Sequence, residues 1–222
     1  MEPVRRPRLK VCCIQSPFEA RLAVRLGASA VGLVSEMPSG PGVLPEETIA
    51  AIARVVPPPV ASFLLTSRWD AAGIVGQQRR TGVTTLQICD RPEPGAHREL
   101  RAALPGIAVV QVVHVTGPGA VEEAVAVAPA VDAILLDSGD PSLAVKELGG
   151  TGRRHDWRLS RQIREAVSVP VFLAGGLRAE NVEEAIAEVS PFALDVCSGV
   201  RTDGRLDEEK LTRFVAAMSA EP

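Results

Sequence analysis

The sequence predicts one (β/α)8 barrel, a closed ring of eight parallel strands in which each strand is followed by a helix. Eight short apolar runs alternate with segments of helical periodicity, and this is the pattern of repeated β-α units. The last three runs each lead into glycines, and the late strand-to-helix turns of such a barrel commonly hold a phosphate group. An open doubly wound sheet is the alternative architecture for the same units.

Each apolar run is short enough to be a strand and is bounded by turn or helix signals. The approximate limits of the eight runs are 9–14, 29–34, 59–65, 83–88, 107–115, 132–137, 169–174 and 192–197. Helix start signals follow the first, second and eighth runs, with proline or acidic residues in the first turn: Ser16-Pro17, Pro45-Glu46-Glu47 and Asp207-Glu208-Glu209.

Length and composition indicate a single domain with a small-molecule substrate. The 222 residues, 46% of them apolar, suffice for one core, so we expect residues 1–8 to form an N-terminal tail and residues 9–222 the barrel. A net charge of −3 without a basic cluster argues against nucleic acid as a partner. Because we see no membrane-spanning run or signal-peptide core, we expect a cytoplasmic protein that binds no membrane. We expect it to be a monomer or a homodimer.

The cysteines and histidines show no structural or metal-ligand spacing. The four cysteines lack a C-x-x-C motif, which favours reduced thiols over a disulfide framework: Cys12, Cys13, Cys89 and Cys197. The three histidines lack ligand spacing with one another or with the cysteines: His97, His114 and His155. We therefore predict no metal and no cofactor.

The glycine turns after the sixth, seventh and eighth runs predict a phosphate site. Glycine lets backbone N–H groups approach a ligand without a Cβ in the way, and a helix N-terminus adds a favourable dipole. The candidate phosphate-binding residues are Gly150, Thr151, Gly152, Ala174, Gly175, Gly176, Ser198 and Gly199.

The first run contains a candidate catalytic thiol. In a strand Lys10 and Cys12 share one face, while Cys13 belongs to the other. If Lys10 points into the barrel, Cys12 lies beside it near the rim, where the ammonium group would stabilise a thiolate able to act as a general base. The alternative is that both cysteines are small buried apolar residues.

Two aspartates lie near the ends of their strands. Asp137 closes the sixth run, at the position where barrel enzymes carry catalytic groups, and partial burial would raise its pKa enough for it to act as an acid. It could instead be a cap or turn residue. Asp195 shares a face with Cys197 and could reach the same mouth of the barrel, or form a salt bridge inside it.

Taken together, these motifs resemble the phosphoribosylanthranilate isomerases of tryptophan biosynthesis over nearly the whole chain. The resemblance rests on Lys10-Val11-Cys12, Leu86-Gln87, Leu135-Leu136-Asp137, Gly149-Gly150-Thr151-Gly152 with Asp156-Trp157, Leu173-Ala174-Gly175-Gly176-Leu177 with Glu180-Asn181-Val182, and Asp195-Val196-Cys197-Ser198-Gly199-Val200. It implies a barrel of the ribulose-phosphate-binding type and a cofactor-free Amadori rearrangement of an N-(5-phosphoribosyl) amine to a 1-amino-1-deoxyribulose 5-phosphate. It also implies that Cys12 is the general base and Asp137 the general acid. We expect Lys10, Gln87 and Asp195 to bind substrate.

Several positions depart from the family pattern. Cys13 stands where the family usually has glycine, Cys89 where it has histidine and Arg201 where it has glutamate. Because we expect Cys13 on the face of the strand opposite to Cys12, it should change the packing without loss of the base. The loop at 36–45 lacks the arginine that holds the anthranilate carboxylate in the family. Arg201 and Arg153 are the candidates to replace it, or else to be surface residues or phosphate helpers.

Three functions remain compatible with these residues. The first is isomerisation of phosphoribosylanthranilate, and the second is the same reaction on a different phosphoribosyl amine, since a shared barrel does not determine the substrate. The third is a non-catalytic phosphosugar-binding barrel, in which the acid and base would have no use. Because of the missing arginine, we expect weak or absent activity on phosphoribosylanthranilate, with the acid and base kept for another amine.

Overall fold

A computed structural model describes residues 6–219 and contains the predicted closed barrel of eight parallel strands. Each strand pairs with the next and the eighth closes on the first, which excludes the open sheet. The strands are β1 (Arg8–Val11), β2 (Ala30–Val34), β3 (Ala61–Thr66), β4 (Thr85–Ile88), β5 (Ala108–His114), β6 (Ala133–Asp137), β7 (Val171–Leu173) and β8 (Ala193–Val196). Each of the eight strands overlaps a predicted run, although β1 begins one residue before its run and β3 ends one residue after its run.

A helix follows each barrel strand. The helices are α1 (Pro17–Arg25), α2 (Glu46–Ala53), α3 (Ala71–Thr81), α4 (Ala96–Ala103), α5 (Gly119–Val127), α6 (Trp157–Ala166), α7 (Val182–Val189) and α8 (Glu208–Ala217). The three predicted start signals are confirmed. The Ser16 hydroxyl accepts the backbone N–H of Glu19 at 3.2 Å, and Asp207 accepts that of Lys210 at 3.0 Å.

The chain has two apolar layers because neighbouring strand residues point to opposite faces. The outer layer packs strands against helices and includes Ile49, Ile74, Leu86, Trp157 and Phe214. The inner layer fills the barrel and includes Phe63, Val110, Leu135 and Phe172. This packing leaves the C-terminal ends of the strands open to form a site.

Two features differ from the sequence prediction. Arg8, expected in the tail, is the first residue of β1, and residues 1–5 of the predicted tail lie outside the described residues. A short hairpin of β9 (Arg201–Thr202) and β10 (Arg205–Leu206) precedes α8 and was not predicted, because two-residue strands leave no periodic signal. From residue 6 to residue 219, no helix combines the length and apolar character needed to span a bilayer.

Candidate active site

Inside the barrel, Lys10 of β1 lies beside Cys12, which directly follows the end of that strand. Lys10 is fully buried, and its Nζ lies 3.5 Å from Cys12 Sγ. The same Nζ donates to Asp195 Oδ2 at 2.8 Å, because β1 pairs with β8 with Lys10 opposite Asp195. The three side chains therefore form one connected polar group inside the barrel.

Lys10 keeps its proton in this environment. Burial works against the charged ammonium group, but the attraction of Asp195 and the neighbouring thiols is stronger, so the pKa of Lys10 is raised above its usual value. A protonated Lys10 can donate to the sulfur of Cys12 and stabilise its thiolate form. The thiolate is the form that can take a proton from carbon.

Asp137 is the last residue of β6 and lies in the same cavity as Cys12. Burial is the main cause that raises its pKa, and it outweighs the opposing hydrogen bond from the backbone of Ser138 and the charge of His114. Gly149 lies against the carboxylate, so that a Cβ there would come within 2.8 Å of Asp137 Oδ2. A buried carboxyl group of this kind can hold a proton near neutral pH and deliver it to a substrate.

The cavity that Cys12 and Asp137 share has an apolar wall and two acceptors without hydrogen-bond partners among the described residues. Its apolar lining includes Val34, Met37, Leu65, Leu135 and Leu148. Gln87 and Asp195 also line it, and Gln87 Oε1 and Asp195 Oδ1 are buried with no hydrogen-bond partner within residues 6–219. Buried acceptors without partners are costly, so both are suited to accept hydroxyl groups of a bound ligand.

The three glycine turns converge at one end of this cavity. A Cβ on Gly176 would lie 2.9 Å from the backbone of Arg153, and a Cβ on Gly152 would lie 3.5 Å from Ser198 Oγ. Gly176 also has φ 64°, in the left-handed region that favours glycine. The candidate phosphate residues that line the cavity are Gly150, Thr151, Gly152, Ala174, Gly175, Gly176 and Ser198. Gly199 lies instead in an adjoining surface cavity with Lys210 and Arg213.

Cys13 does not lie on the face opposite to Cys12, and that prediction is wrong. The strand ends at Val11, and Cys13 has φ 58°, so the alternation of faces no longer applies there. Both cysteines line the cavity. The left-handed backbone also explains the glycine found at this position in the family that the sequence resembles.

Arg201 and Arg153, the two proposed replacements for the carboxylate-binding arginine, do not line the cavity. Arg201 is buried, forms an ion pair with Glu19 at 3.2 Å, and donates to the carbonyl oxygens of Cys12 and Cys13. Arg153 is exposed and forms an ion pair with Glu147. Arg201 therefore supports the backbone that follows β1, while Arg153 contributes its own backbone to the glycine turns.

Sequence reasoning missed the contacts that come from loops. Gly42, in the loop after β2, packs on Cys13, since a Cβ there would lie 2.8 Å from Cys13 Cβ. Cys13 and the loop at 36–45, which both depart from the family pattern, are thus in contact. Glu19, the partner of Arg201, lies in the first turn of α1. Its acidic character in the first turn gave no signal of a contact with a residue 182 positions away.

Residues 10–217 match the family model of N-(5'-phosphoribosyl)anthranilate (PRA) isomerase. The chain belongs to this isomerase family. It is therefore an enzyme, of the class of intramolecular oxidoreductases that interconvert aldose and ketose derivatives. The resemblance read from the sequence and the predicted barrel are both confirmed.

Similar proteins agree with this assignment over almost their whole length. N-(5'-phosphoribosyl)anthranilate isomerase 2 of Methanosarcina mazei is 38% identical, over 94% of this chain and 92% of its own. The crystal structure of phosphoribosyl anthranilate isomerase from Thermus thermophilus has a TM-score of 0.81 at 25% identity, covering 96% of this chain and 98% of that one. A further isomerase structure holds reduced 1-(o-carboxyphenylamino)-1-deoxyribulose 5-phosphate; its TM-score is 0.79 at 27% identity, with 96% and 98% coverage.

If Arg201 supports the isomerase fold, Arg201→Ala should lower the free energy of unfolding by about 3 kcal/mol, because it leaves Glu19 buried without its cation. Denaturant unfolding measures this change. Arg153→Ala is the matched control, since an exposed ion pair contributes about 1 kcal/mol or less. A raised KM with unchanged stability in Arg201→Ala would instead make this arginine a substrate ligand.

Proposed function

We propose that this chain catalyses the Amadori rearrangement of an N-(5-phosphoribosyl) amine, with phosphoribosylanthranilate as the substrate, and that it works without a cofactor. One observation carries the proposal: Cys12 and Asp137 line a single cavity whose end is formed by three converging glycine turns. A base, an acid and a phosphate cradle are the parts that this reaction requires. A non-catalytic barrel would have no use for the buried Lys10 that accompanies Cys12.

The acid acts first, on the closed sugar. Asp137 donates its proton to the ribose ring oxygen, the bond from that oxygen to C1 breaks, and the nitrogen lone pair forms a C1=N iminium bond. Burial of Asp137 keeps the proton available for this step, since it raises the pKa of the carboxyl group.

The base acts on the opened chain. The Cys12 thiolate removes the proton from C2, the electron pair forms C1=C2, and the electrons of the C=N bond return to nitrogen. The enolamine then takes up a proton at C1 and loses one from the C2 hydroxyl, which leaves the ketone. Lys10 stabilises the thiolate before transfer, through its 3.5 Å contact with the sulfur.

The phosphate takes no part in the bond changes and serves to position the sugar. Backbone N–H groups of the glycine turns would hold it, and binding energy at that end orients C1 and C2 between acid and base. Gln87 Oε1 and Asp195 Oδ1, both buried and without partners within the described residues, would accept hydrogen bonds from ribose hydroxyl groups.

A second candidate substrate is a phosphoribosyl amine without the benzoate carboxylate. Among the described residues that line the cavity, none is a lysine or arginine. A carboxylate buried without a cation is costly, and a bidentate arginine is its usual partner. This observation favours an uncharged amine as the second candidate and calls for a direct comparison of the two substrates.

Turnover of two substrates separates the candidates. The purified chain is given phosphoribosylanthranilate and, in parallel, the phosphoribosyl derivative of aniline, which lacks the carboxylate. A kcat/KM of about 10⁴ M⁻¹s⁻¹ or more on the first, with rescue of a tryptophan auxotroph, establishes the anthranilate substrate. A preference for the second establishes the other amine, and turnover of neither contradicts the proposal. Cytoplasmic location and the monomer or homodimer state stay predictions.

The phosphate cradle predicts a selective effect on substrate binding. Gly176→Ala should raise KM for the phosphorylated substrate more than it lowers kcat, because the added Cβ meets the backbone of Arg153 at 2.9 Å and the turn must shift. Gly106→Ala is the matched control: its φ of 88° is also left-handed, but its Cβ would have no neighbour within 4 Å. Steady-state kinetics that change equally in both variants would mean that backbone strain alone is responsible.

A further inference from the structure

Two thiols that take no part in the rearrangement lie in contact at the wall of the active-site cavity. Cys13 Sγ and Cys197 Sγ are 2.9 Å apart. Cys13 follows β1 and Cys197 follows β8, and the two strands pair in parallel with Val11 opposite Val196, which brings their ends together. Both thiols line the cavity, and all four cysteines of the chain are free.

The geometry favours bond formation between these sulfurs. A disulfide bond is about 2.05 Å long, so the sulfurs need to approach by less than about 1 Å. Neither residue lies inside a strand, since β1 ends at Val11 and β8 ends at Val196. Side-chain rotation and small loop shifts can therefore supply the movement without breaking the hydrogen bonds of the barrel.

The two thiols differ in a way that favours Cys197 as the first to react. Cys197 is partly exposed, and its hydrogen bond with Cys13, together with the charge of Arg201, lowers the pKa of its thiol. Cys13 is buried, and hydrogen bonds with Cys12 and Cys197 raise the pKa of its thiol well above the usual value. The thiolate is the attacking species in thiol–disulfide exchange, so Cys197 reacts first.

The remaining cysteines are less suited to this reaction. Cys89 is fully buried, and burial raises the pKa of its thiol. Cys12 Sγ is held towards Lys10 Nζ and lies against Gly32, where a Cβ would come within 2.8 Å of the sulfur. The described geometry therefore singles out one pair of the four thiols.

We propose that small-molecule disulfides such as oxidised glutathione oxidise Cys13 and Cys197, which then join to each other in a reversible disulfide bond. This bond switches the enzyme off. The Cys197 thiolate attacks the small disulfide and releases one of its halves as a thiolate. Cys13 then loses its proton to solvent, and its thiolate attacks Cys197 Sγ in the mixed disulfide and releases the second half as a thiolate. The chain loses two hydrogens and the small disulfide gains two.

Oxidation affects the active site because Cys13 is adjacent to the base. Because Cys13 is bonded to Cys12 through the backbone and packs on Gly42, we expect its movement towards Cys197 to displace Cys12 as well. A displacement of about 1 Å at a catalytic group can reduce the rate by up to about 100-fold. We expect a loss of turnover of this order in the oxidised enzyme, with recovery after treatment with dithiothreitol.

Peptide mapping by mass spectrometry tests the bond without any need for activity. The chain is incubated with oxidised glutathione, alkylated and digested; we expect a peptide pair linked through Cys13 and Cys197, with two hydrogens lost. Because Cys12 is adjacent in sequence, the experiment is repeated with Cys12→Ser, in which the link should persist. A stable mixed disulfide on Cys197, or a link that requires Cys12, overturns the proposal. This result does not depend on which substrate the enzyme rearranges, because peptide mapping measures the bond and not the turnover.

Turnover then tests the consequence. Cys197→Ser lacks the thiol that reacts first, so it should form neither the adduct nor the link and should keep its turnover after treatment with oxidised glutathione. Cys13→Gly suits the local φ of 58° and should form no intramolecular link, but it should retain a mixed disulfide on Cys197. An equal loss of turnover in the wild type and in Cys197→Ser would assign the inhibition to another thiol and refute the switch.

Discussion

Replacing Cys12 by serine is expected to reduce kcat by about 100-fold or more while leaving the barrel folded, as is typical when a general base is removed. A serine hydroxyl is far less acidic than a thiol, so at neutral pH the Cys12→Ser variant has almost no anion to take the proton from C2. The positive charge of Lys10, whose Nζ lies 3.5 Å from the sulfur in the wild type, cannot by itself make the serine hydroxyl a base of comparable strength. Steady-state kinetics together with circular dichroism measure the two effects separately.

The neighbouring thiol provides the control for this variant. Cys13→Gly removes a sulfur from the same cavity and suits the local φ of 58°, so it should retain most of the wild-type rate. Wild-type turnover in Cys12→Ser, or a large loss in Cys13→Gly, would transfer the role of base from Cys12 to Cys13.

Replacing Asp137 by asparagine is expected to reduce kcat by about 100-fold or more, because the amide has no proton to give to the ring oxygen. The wild-type rate should also fall as pH rises through the pKa of Asp137, which burial holds above the usual carboxyl range, since the acid form is then lost. In Asp137→Asn that alkaline decrease should disappear. A pH profile of kcat/KM for both proteins measures this.

Stability distinguishes loss of the acid from loss of the fold. Folding raises the pKa of the Asp137 carboxyl group, so this group destabilises the folded state once the pH exceeds the pKa that it has in the unfolded chain. Asp137→Asn removes that cost and should therefore not lower Tm at neutral pH. Asp140→Asn is the matched control: Asp140 lies in the loop that follows β6, and its hydrogen bonds with Ser142 lower the pKa of its carboxyl group. If the alkaline decrease persists unchanged in Asp137→Asn, another group is the acid.

The periodic part of the fold was predictable because it depends on local patterns. Strands such as β5 and β6 show as continuous apolar runs, and caps such as Ser16 and Asp207 act within one turn of their helices. The turns that end in Gly152 and Gly176 were recognisable for the same reason, since glycine after a strand has a local cause. Their convergence on one cavity followed from the parallel order of the strands.

Contacts made by loops were not predictable in this way. Arg201 was expected at the mouth of the barrel and instead bonds to the carbonyl oxygens of Cys12 and Cys13, because Glu19 on α1 lies beside it in the folded chain. Cys13 was assigned to the wrong face because the strand alternation was extended past Val11, where the backbone turns left-handed.

The sequence by itself determined the barrel, the order of its elements and the residue types able to act as base, acid and phosphate cradle, because strand periodicity, helix caps and glycine turns are local in the chain. The tertiary structure alone decided which of those side chains meet. It placed Lys10 between Cys12 and Asp195, removed Arg201 from the cavity and set Cys13 against Cys197. These contacts join residues up to 189 positions apart, and their geometry depends on loop backbone and side-chain packing that no local pattern specifies.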